Sequence, residues 1–368
     1  MACWDGVYFL EIAREGYIYE KQHAFYPGYP IFIRITSYLI NLVFLGHLSE
    51  IGSLLLSGVI ISNICFILAA LSLYLLSRQV LKDERLSFTS ALLFCFNPAS
   101  IFMSALYTES LFALTVFAGL YYLTKNGENF WDKLKGTACF AMSSGIRSNG
   151  AILIGFIIYP FLKGFLQSPL KKWFSLYSTL FSLFQVVVIS IPTVLFSVYG
   201  YILYCYQDNP QKWCNYTVPN IYSYVQSTYW DIGFLNYYEV KQIPNFILAL
   251  PIISISYYGI WSYIKQDPTR FFSLGLINSS SRPPKPFFKE NTLVFIYHWA
   301  FLVTFALLMM HVQVATRFIA SQCPPFYWWT ATLLQQNPNA RTQKLISYYF
   351  TLFWFLGPIL FSNFYPWS

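Results

Sequence analysis

Four carboxylates, Asp5, Glu11, Glu15 and Glu20, fall within sixteen residues of a chain in which only 10% of residues are charged. A carboxylate is ionised near neutral pH, can take a proton from a hydroxyl, and does so better when partly desolvated. The four are not equivalent. Asp5 is expected to cap a short helix from Gly6 to Glu15, with Gly16 placed to end it in a left-handed turn. A short side chain fixed at a helix start follows its backbone closely, and Trp4 beside it offers a flat face on which a sugar can stack. Glu11 and Glu15 lie i,i+4 and read as a solvated helix face. Glu20, next to Lys21, is longer and less constrained. Asp5 is therefore the first candidate for a general base and Glu20 the second. The bland alternative for Asp5 is a helix cap and nothing more. His23 and a run of aromatics complete the stretch, where Pro27 and Pro30 are expected to delay a regular helix until Ile31.

Two further charges stand alone in apolar surroundings. Glu109 is the only charge between Arg85 and Lys125, and Arg147 the only one between Lys135 and Lys163. Such residues face a cavity or a partner. The forked guanidinium of Arg147 suits phosphate oxygens, and Gly145 and Gly150 around it permit close backbone approach, with Asn149 in the same candidate substrate-binding set. The alternative is that Glu109 and Arg147 pair with each other and only hold a bundle together. His311, Gln313 and Arg317 form another polar set; Gln313 and Arg317 share a face if the helix there is continuous. Its alternative is a helix end with a snorkelling arginine. No P-loop, GxGxxG, CxxC, HExxH or GxSxG is present, and no Asp-x-Asp pair that would hold a divalent metal with a nucleotide sugar. No cofactor and no metal-ligating residues are expected, and the missing Asp-x-Asp argues against a nucleotide-sugar donor with a bound metal while leaving a metal requirement open.

The elements that must position these residues are membrane helices. The chain of 368 residues is 56% hydrophobic and 21% aromatic, with a mean hydropathy of +0.48. Soluble domains carry about 25% charged residues. Runs long enough to span a bilayer, or nearly so, are Leu54–Leu76, Ser87–Leu106 around Asn97-Pro98, Ser110–Thr124, Phe174–Tyr206 around Pro192, Gln242–Ile264, Asn291–Thr316, Phe318–Ala340 and Leu345–Ser368. Gly136–Leu162 reads as two short helices meeting near Arg147, and Ile31–Gly46 as a helix lying at the interface. With the N-terminal stretch on the lumenal side, 16 of the 23 Lys and Arg fall in the cytosol and 7 in the lumen, as the positive-inside rule requires. The net charge of +8 follows from this bias and does not point to nucleic acid. Cys205 and Cys214 flank one polar loop and can pair if it is lumenal; Cys65, Cys95 and Cys139 lie in apolar runs and read as packing residues. The expected class is all-α: one multispanning membrane domain, with residues 1–53 as a lumenal loop and interfacial helix and residues 54–368 as the bundle.

Two function classes fit these features. A transferase using a lipid-linked sugar predicts carboxylates gathered in one lumenal loop and cations near the lumenal face for a lipid phosphate. A transporter predicts internal repeats and charges along a transmembrane path, and no repeat is found.

Several stretches carry a resemblance. Trp4-Asp5, Phe9, Ile12-Ala13, Gly16-Tyr17, Tyr19-Glu20 and Ala24-Phe25-Tyr26-Pro27-Gly28-Tyr29-Pro30 resemble the first lumenal loop of the phosphatidylinositol-glycan class V family. Asn97-Pro98-Ala99 with Tyr107-Thr108-Glu109-Ser110, then Gly145-Ile146-Arg147-Ser148-Asn149-Gly150, then His311-Val312-Gln313-Val314-Ala315-Thr316-Arg317-Phe318 are similar to the same family in order. The resemblance implies a GT-C architecture in the endoplasmic reticulum membrane with a lumenal active site. It also implies transfer of the second mannose, α-1,6, from dolichol-phosphate-mannose to the mannosyl-glucosaminyl-phosphatidylinositol precursor of GPI anchors. Trp4, His23, Glu109, Arg147, Asn149, His311, Gln313 and Arg317 then become substrate-binding candidates, and a small accessory membrane subunit a possible partner. The family has a transmembrane helix before its Trp-Asp motif, which Met1-Ala2-Cys3 leaves no room for; a missing first exon is the expected reason.

Overall fold

The structure, a computed structural model, describes residues 3–125, 129–167, 176–277, 285–336, 341–365 and 367. Its described residues hold helices, short 3-10 turns and no strand. A short helix α1 (Asp5–Glu15) and a 3-10 turn (Glu20–Ala24) lead into α2 (Gly28–Val43). The long α3 (Glu50–Leu81) turns back through α4 (Glu84–Cys95) and α5 (Ser100–Ser104), followed by α6 (Glu109–Thr124) and α7 (Phe130–Ile146). After Arg147 a 3-10 turn (Ser148–Ile154) runs into α8 (Gly155–Gln167), and α9 (Leu176–Cys205) leads to a loop carrying α10 (Ile221–Tyr229). Then come α11 (Ile243–Gln266), α12 (Pro268–Phe272), α13 (Leu293–Met309), α14 (Ala315–Ala320), α15 (Pro324–Gln336) and α16 (Arg341–Ser362).

Among the described residues six stretches are long and apolar enough to cross a membrane: Glu50–Leu81, Ser148–Gln167, Leu176–Cys205, Val240–Gln266, Glu290–Met309 and Arg341–Ser362. The chain is a multi-pass membrane protein. α9 shows why these helices need lipid: Leu180, Leu183, Val187, Val194 and Leu195 are exposed along it, an arrangement water would not tolerate. α15 is the opposite, enclosed on all sides from Pro324 to Leu333.

The helices place two ends of the bundle far apart in character. At one end Asn291 and Lys289 bond the last carbonyls of α3, at Val80 and Leu81, while Lys163 meets Glu290. The other end gathers α1, the loop before α6, the α7 terminus, the α9–α11 loop and α14.

Several expectations change in detail. Pro27 and Pro30 do not postpone α2 to Ile31. The helix starts at Gly28 because a proline in the first turn removes only an amide with no intrahelical partner. Trp4, not Asp5, occupies the cap position of α1, at φ 52° and ψ −125°, so Asp5 opens the first helical turn and its carboxylate does no capping. The run Ser87–Leu106 is broken at Phe96–Ala99. Phe318–Ala340 is broken at Ser321–Cys323, before the consecutive Pro324 and Pro325, which bar the preceding residues from continuing a helix. Asn291–Thr316 ends early, at Met309, and a 3-10 turn replaces the helix at Val312–Val314.

The run Gly136–Leu162 divides at Arg147, and two glycines hold that corner. A Cβ on Gly150 would lie 2.3 Å from the Ser143 carbonyl carbon, so the chain folds back onto α7 only without a side chain there. A Cβ on Gly28 would lie 2.7 Å from the Gly145 oxygen, which lets α2 press against the α7 terminus. These glycines serve the packing that aims Arg147.

Candidate active site

Four charged side chains from four elements converge at the α1 end: Asp5, Glu109, Arg147 and Arg317. Arg147 Nη1 donates to Glu109 Oε1 at 2.6 Å and to the Thr108 hydroxyl at 3.2 Å. Arg317 lies 3.5 Å from the same Glu109 oxygen and directs Nη1 and Nη2 to Asp5 Oδ2, at 3.2 and 3.3 Å. Glu109 thus bridges both guanidiniums from a site where its side chain is 1% exposed. A buried carboxylate there would be untenable without them.

The sequence folds to this arrangement through local geometry. Thr108 occupies the cap position of α6 and Glu109 is its first residue, so the carboxylate sits at the positive end of the helix. Arg147 terminates α7 in extended backbone, which turns its side chain out of the helix toward α6 and over the Phe112 ring. Arg317, on α14, lies over the rings of Phe102 and Tyr107, 5.0 and 5.5 Å from their centres. The Tyr107 hydroxyl accepts the Asp5 backbone N–H at 3.1 Å, anchoring the start of α1. Just before it, Trp4 holds a positive φ unusual for a non-glycine residue, a strain of roughly 1–3 kcal/mol of the kind that collects at functional sites.

Asp5 and Glu109 differ in access. The Asp5 side chain is 27% exposed, and only Oδ2 is bound by protein; Oδ1 has no partner among the described residues. Glu109 is sealed in. Asp5 can therefore reach a substrate hydroxyl where Glu109 cannot. Both arginines keep unused donors. Among the described residues Arg147 commits only Nη1, and the buried Nε of Arg317 has no partner.

The other sequence candidates lie around this centre or apart from it. Trp4 is half-exposed beside Asp5, its ring 6.1 Å from Phe364. Asn149 donates to Gln322 at 2.8 Å, linking the corner after α7 to the break after α14. His311 stacks on Tyr237 at 4.5 Å, and Gln313 accepts from the Tyr237 hydroxyl. Gln313 lies within the 3-10 turn and meets Tyr237, while Arg317 on α14 turns to Asp5. Burial lowers the His311 pKa. Glu20 is held by the Trp213 indole at 2.6 Å and the Tyr229 hydroxyl at 2.9 Å, tying the N-terminal stretch to the loop closed by the Cys205–Cys214 disulfide. His23 is enclosed by Tyr17, Phe196, Tyr199 and Tyr204, and burial pushes its pKa down to about 4. Glu11 is not simply a wet face, since it accepts from Gln22 at 2.9 Å. Sequence reasoning missed Phe102, Gln322, Tyr222 and Trp213. Their site partners, Arg317, Asn149, Ser148 and Glu20 in that order, lie 74 or more residues away, and nothing in a linear reading marks them. Among the described residues no group of three His, Cys, Asp or Glu could hold a metal ion.

A family model described as Mannosyltransferase (PIG-V) matches residues 1–368. The chain is similar to GPI alpha-1,6-mannosyltransferase 2 of Homo sapiens, 34% identical over 436 residues covering 99% of this chain and 87% of that protein. It is 33% identical over 404 residues to GPI mannosyltransferase 2 of Drosophila melanogaster, covering 99% and 86%. To GPI mannosyltransferase 2 of Gibberella zeae it is 29% identical over 378 residues, covering 99% and 84%.

Proposed function

The chain belongs to the mannosyltransferase (PIG-V) family, and from that premise we propose that it adds the second mannose, α-1,6, to the mannosyl-glucosaminyl-phosphatidylinositol precursor of GPI anchors. The donor in this reading is dolichol-phosphate-mannose, used in the endoplasmic reticulum membrane with the Asp5 end of the bundle facing the lumen. The observation that carries it is the Asp5–Arg317–Glu109–Arg147 cluster, which unites residues from the N-terminal, Tyr107–Ser110, Gly145–Gly150 and His311–Phe318 stretches at one point.

The chemistry follows from the geometry. Asp5 Oδ1, free of protein partners, takes the proton of the acceptor hydroxyl as its oxygen attacks the anomeric carbon. Arg317 holds Oδ2 and so fixes the carboxylate plane. The bond from the anomeric carbon to the phosphate oxygen breaks, and the lipid phosphate leaves with the electron pair. It departs already ionised, so no general acid is needed. The unused donors of Arg147 and the guanidinium of Arg317 bind the phosphate, with charge-assisted bonds that strengthen as negative charge builds on the leaving group. Glu109 keeps the two guanidiniums side by side, which their mutual repulsion would otherwise oppose. Trp4 offers its exposed face to a sugar ring. One displacement with a single base predicts inversion at the anomeric carbon.

The test is transfer in microsomes or nanodiscs with dolichol-phosphate-mannose and the mono-mannosylated precursor. A product whose new mannose is released by an α-1,6-specific mannosidase is expected. Transfer that requires a nucleotide-linked mannose, or a linkage other than α-1,6, would overturn the reading.

A further inference from the structure

The proposed chemistry uses Glu109 to hold two guanidiniums but leaves Tyr107, two residues before it, without a role. Tyr107 lies in the linker between α5 and α6 and is 2% exposed. Two of its parts touch different members of the cluster. Its ring carries the Arg317 guanidinium, 5.5 Å from the ring centre, and its hydroxyl accepts the Asp5 backbone N–H at 3.1 Å. The carboxylate and the cation of one ion pair thus rest on a single side chain.

The start of α1 depends on that hydroxyl. Trp4 holds the cap position at φ 52°, and no side chain caps the helix. The first amides of a helix have no partner within it, and a cap oxygen ordinarily supplies one. The Gly6 and Val7 amides reach the Cys3 and Trp4 carbonyls. Among the described residues the Asp5 amide has only the Tyr107 oxygen, supplied from 102 residues away. Gly6 is pressed against the same linker, where a Cβ would lie 3.2 Å from the Leu106 carbonyl oxygen.

Tyr107 has little freedom to swing. Its ring meets Phe9 at 6.2 Å, Phe102 at 5.1 Å and Phe361 at 5.6 Å, each edge to face. Phe102 also carries Arg317, at 5.0 Å, and has no hydroxyl. The cation therefore needs only rings, and the Tyr107 oxygen serves Asp5.

We propose that Tyr107 is a positioning residue for the transfer: its hydroxyl sets the place of the base against Arg317, and with it the reach of Asp5 Oδ1 to the attacking hydroxyl. The inference rests on the proposed role of Asp5. Few rotatable bonds separate the Asp5 amide from its carboxylate, and Arg317 holds Oδ2, so an error at the amide passes to Oδ1. A misplacement of about 1 Å can cost on the order of a hundredfold in rate.

Tyr107→Phe, in the full chain in nanodiscs, removes the hydroxyl and keeps the ring. Its kcat should fall about tenfold, while the donor KM stays within about twofold because Arg317 keeps its seat. Combined with Asp5→Asn, it should be no slower than Asp5→Asn alone, since a base that is gone cannot be misplaced. A tyrosine that only supports the fold would slow both backgrounds by the same factor. That result, or an unchanged kcat, would overturn the proposal. Amide exchange reads the tether without any transfer assay: exchange at the Asp5 amide should quicken in Tyr107→Phe, and unchanged exchange contradicts it. Should that variant fail to fold, Gly6→Ala makes the test from the α1 side. Alanine suits a helix better than glycine, so stability should hold. The added Cβ meets the Leu106 carbonyl and displaces the helix start, so kcat should fall, and a wild-type rate would overturn the proposal. Loss in Asp5→Asn with no loss in Tyr107→Phe would spare the proposed chemistry and strike only the tyrosine. A near-normal rate in Asp5→Asn would strike both.

Discussion

The two ends of the bundle each bury an arginine against an aspartate, and the two pairs are built differently. At the end away from α1, Asp267 and Arg270 are three residues apart. Asp267 accepts the Arg270 backbone N–H at 3.0 Å as the cap of α12 and its guanidinium at 3.1 Å, and that guanidinium also donates to the Phe288 carbonyl at 2.8 Å. The pair is 1% and 6% exposed, so it meets neither solvent nor substrate. At the α1 end, Asp5 and Arg317 are 312 residues apart and are joined to Glu109 and Arg147. There the aspartate is part-exposed with one oxygen free, and the arginines retain donors. The first pair closes a local turn. The second gathers four elements around groups left ready for a ligand. An ion pair is thus better read by what it leaves unsatisfied than by its depth.

The largest effect that separates the ends should come from Glu109→Gln. It removes the charge that two guanidiniums share, and breaking a buried pair costs about 3–5 kcal/mol. Thermal unfolding in detergent should show a marked loss of stability, and transfer should be undetectable. Next, Arg147→Lys and Arg317→Lys keep the charge but lose the fork. Each should lower kcat/KM for the donor by about ten- to a hundredfold, roughly 1.4–2.8 kcal/mol, with near-normal abundance; normal donor KM in both variants would remove the phosphate role. At the other end, Asp267→Asn keeps the cap but weakens the ion pair. A stability loss of about 1–3 kcal/mol is expected, while activity per folded molecule stays within twofold. Reduced turnover at matched folded protein would mean that the two ends are not separate. The smallest effect concerns sidedness. Asn215-Tyr216-Thr217 lies at the α1 end, and Asn278-Ser279-Ser280, outside the described residues, follows Ile277 at the opposite end. Asn215 should carry a glycosidase-sensitive glycan in microsomes and Asn278 none. A mass shift that persists in Asn215→Gln and vanishes in Asn278→Gln would invert the assignment of the ends.

Much of this was legible in the chain, and the limits are physical. Apolar length marked the membrane helices, and lone charges in apolar runs marked Glu109, Arg147 and Arg317, because an isolated charge there demands a partner. The partners themselves were not legible. Glu109 with Arg147 was one of two readings, and the Asp5–Arg317 contact spans nearly the whole chain. Glu20 reads in the sequence as a second candidate base, and nothing near it in the chain marks Trp213 and Tyr229, which donate to its two oxygens. The break before Pro324-Pro325 did have a signal, overridden in a hydropathy reading because α15 is apolar enough to pass for part of a span. The cap of α1 turned on a positive φ at Trp4, which no propensity favours.

The account rests on Asp5 as the base, and mannose transfer by Asp5→Asn measures that most directly. Asparagine keeps the size and polarity of the side chain, so the variant should reach the membrane and unfold near the wild-type temperature. At matched folded protein its rate should fall about 10²–10⁴-fold, the usual worth of a positioned general base. A rate near that of the wild type would contradict the account and take Asp5 out of the mechanism.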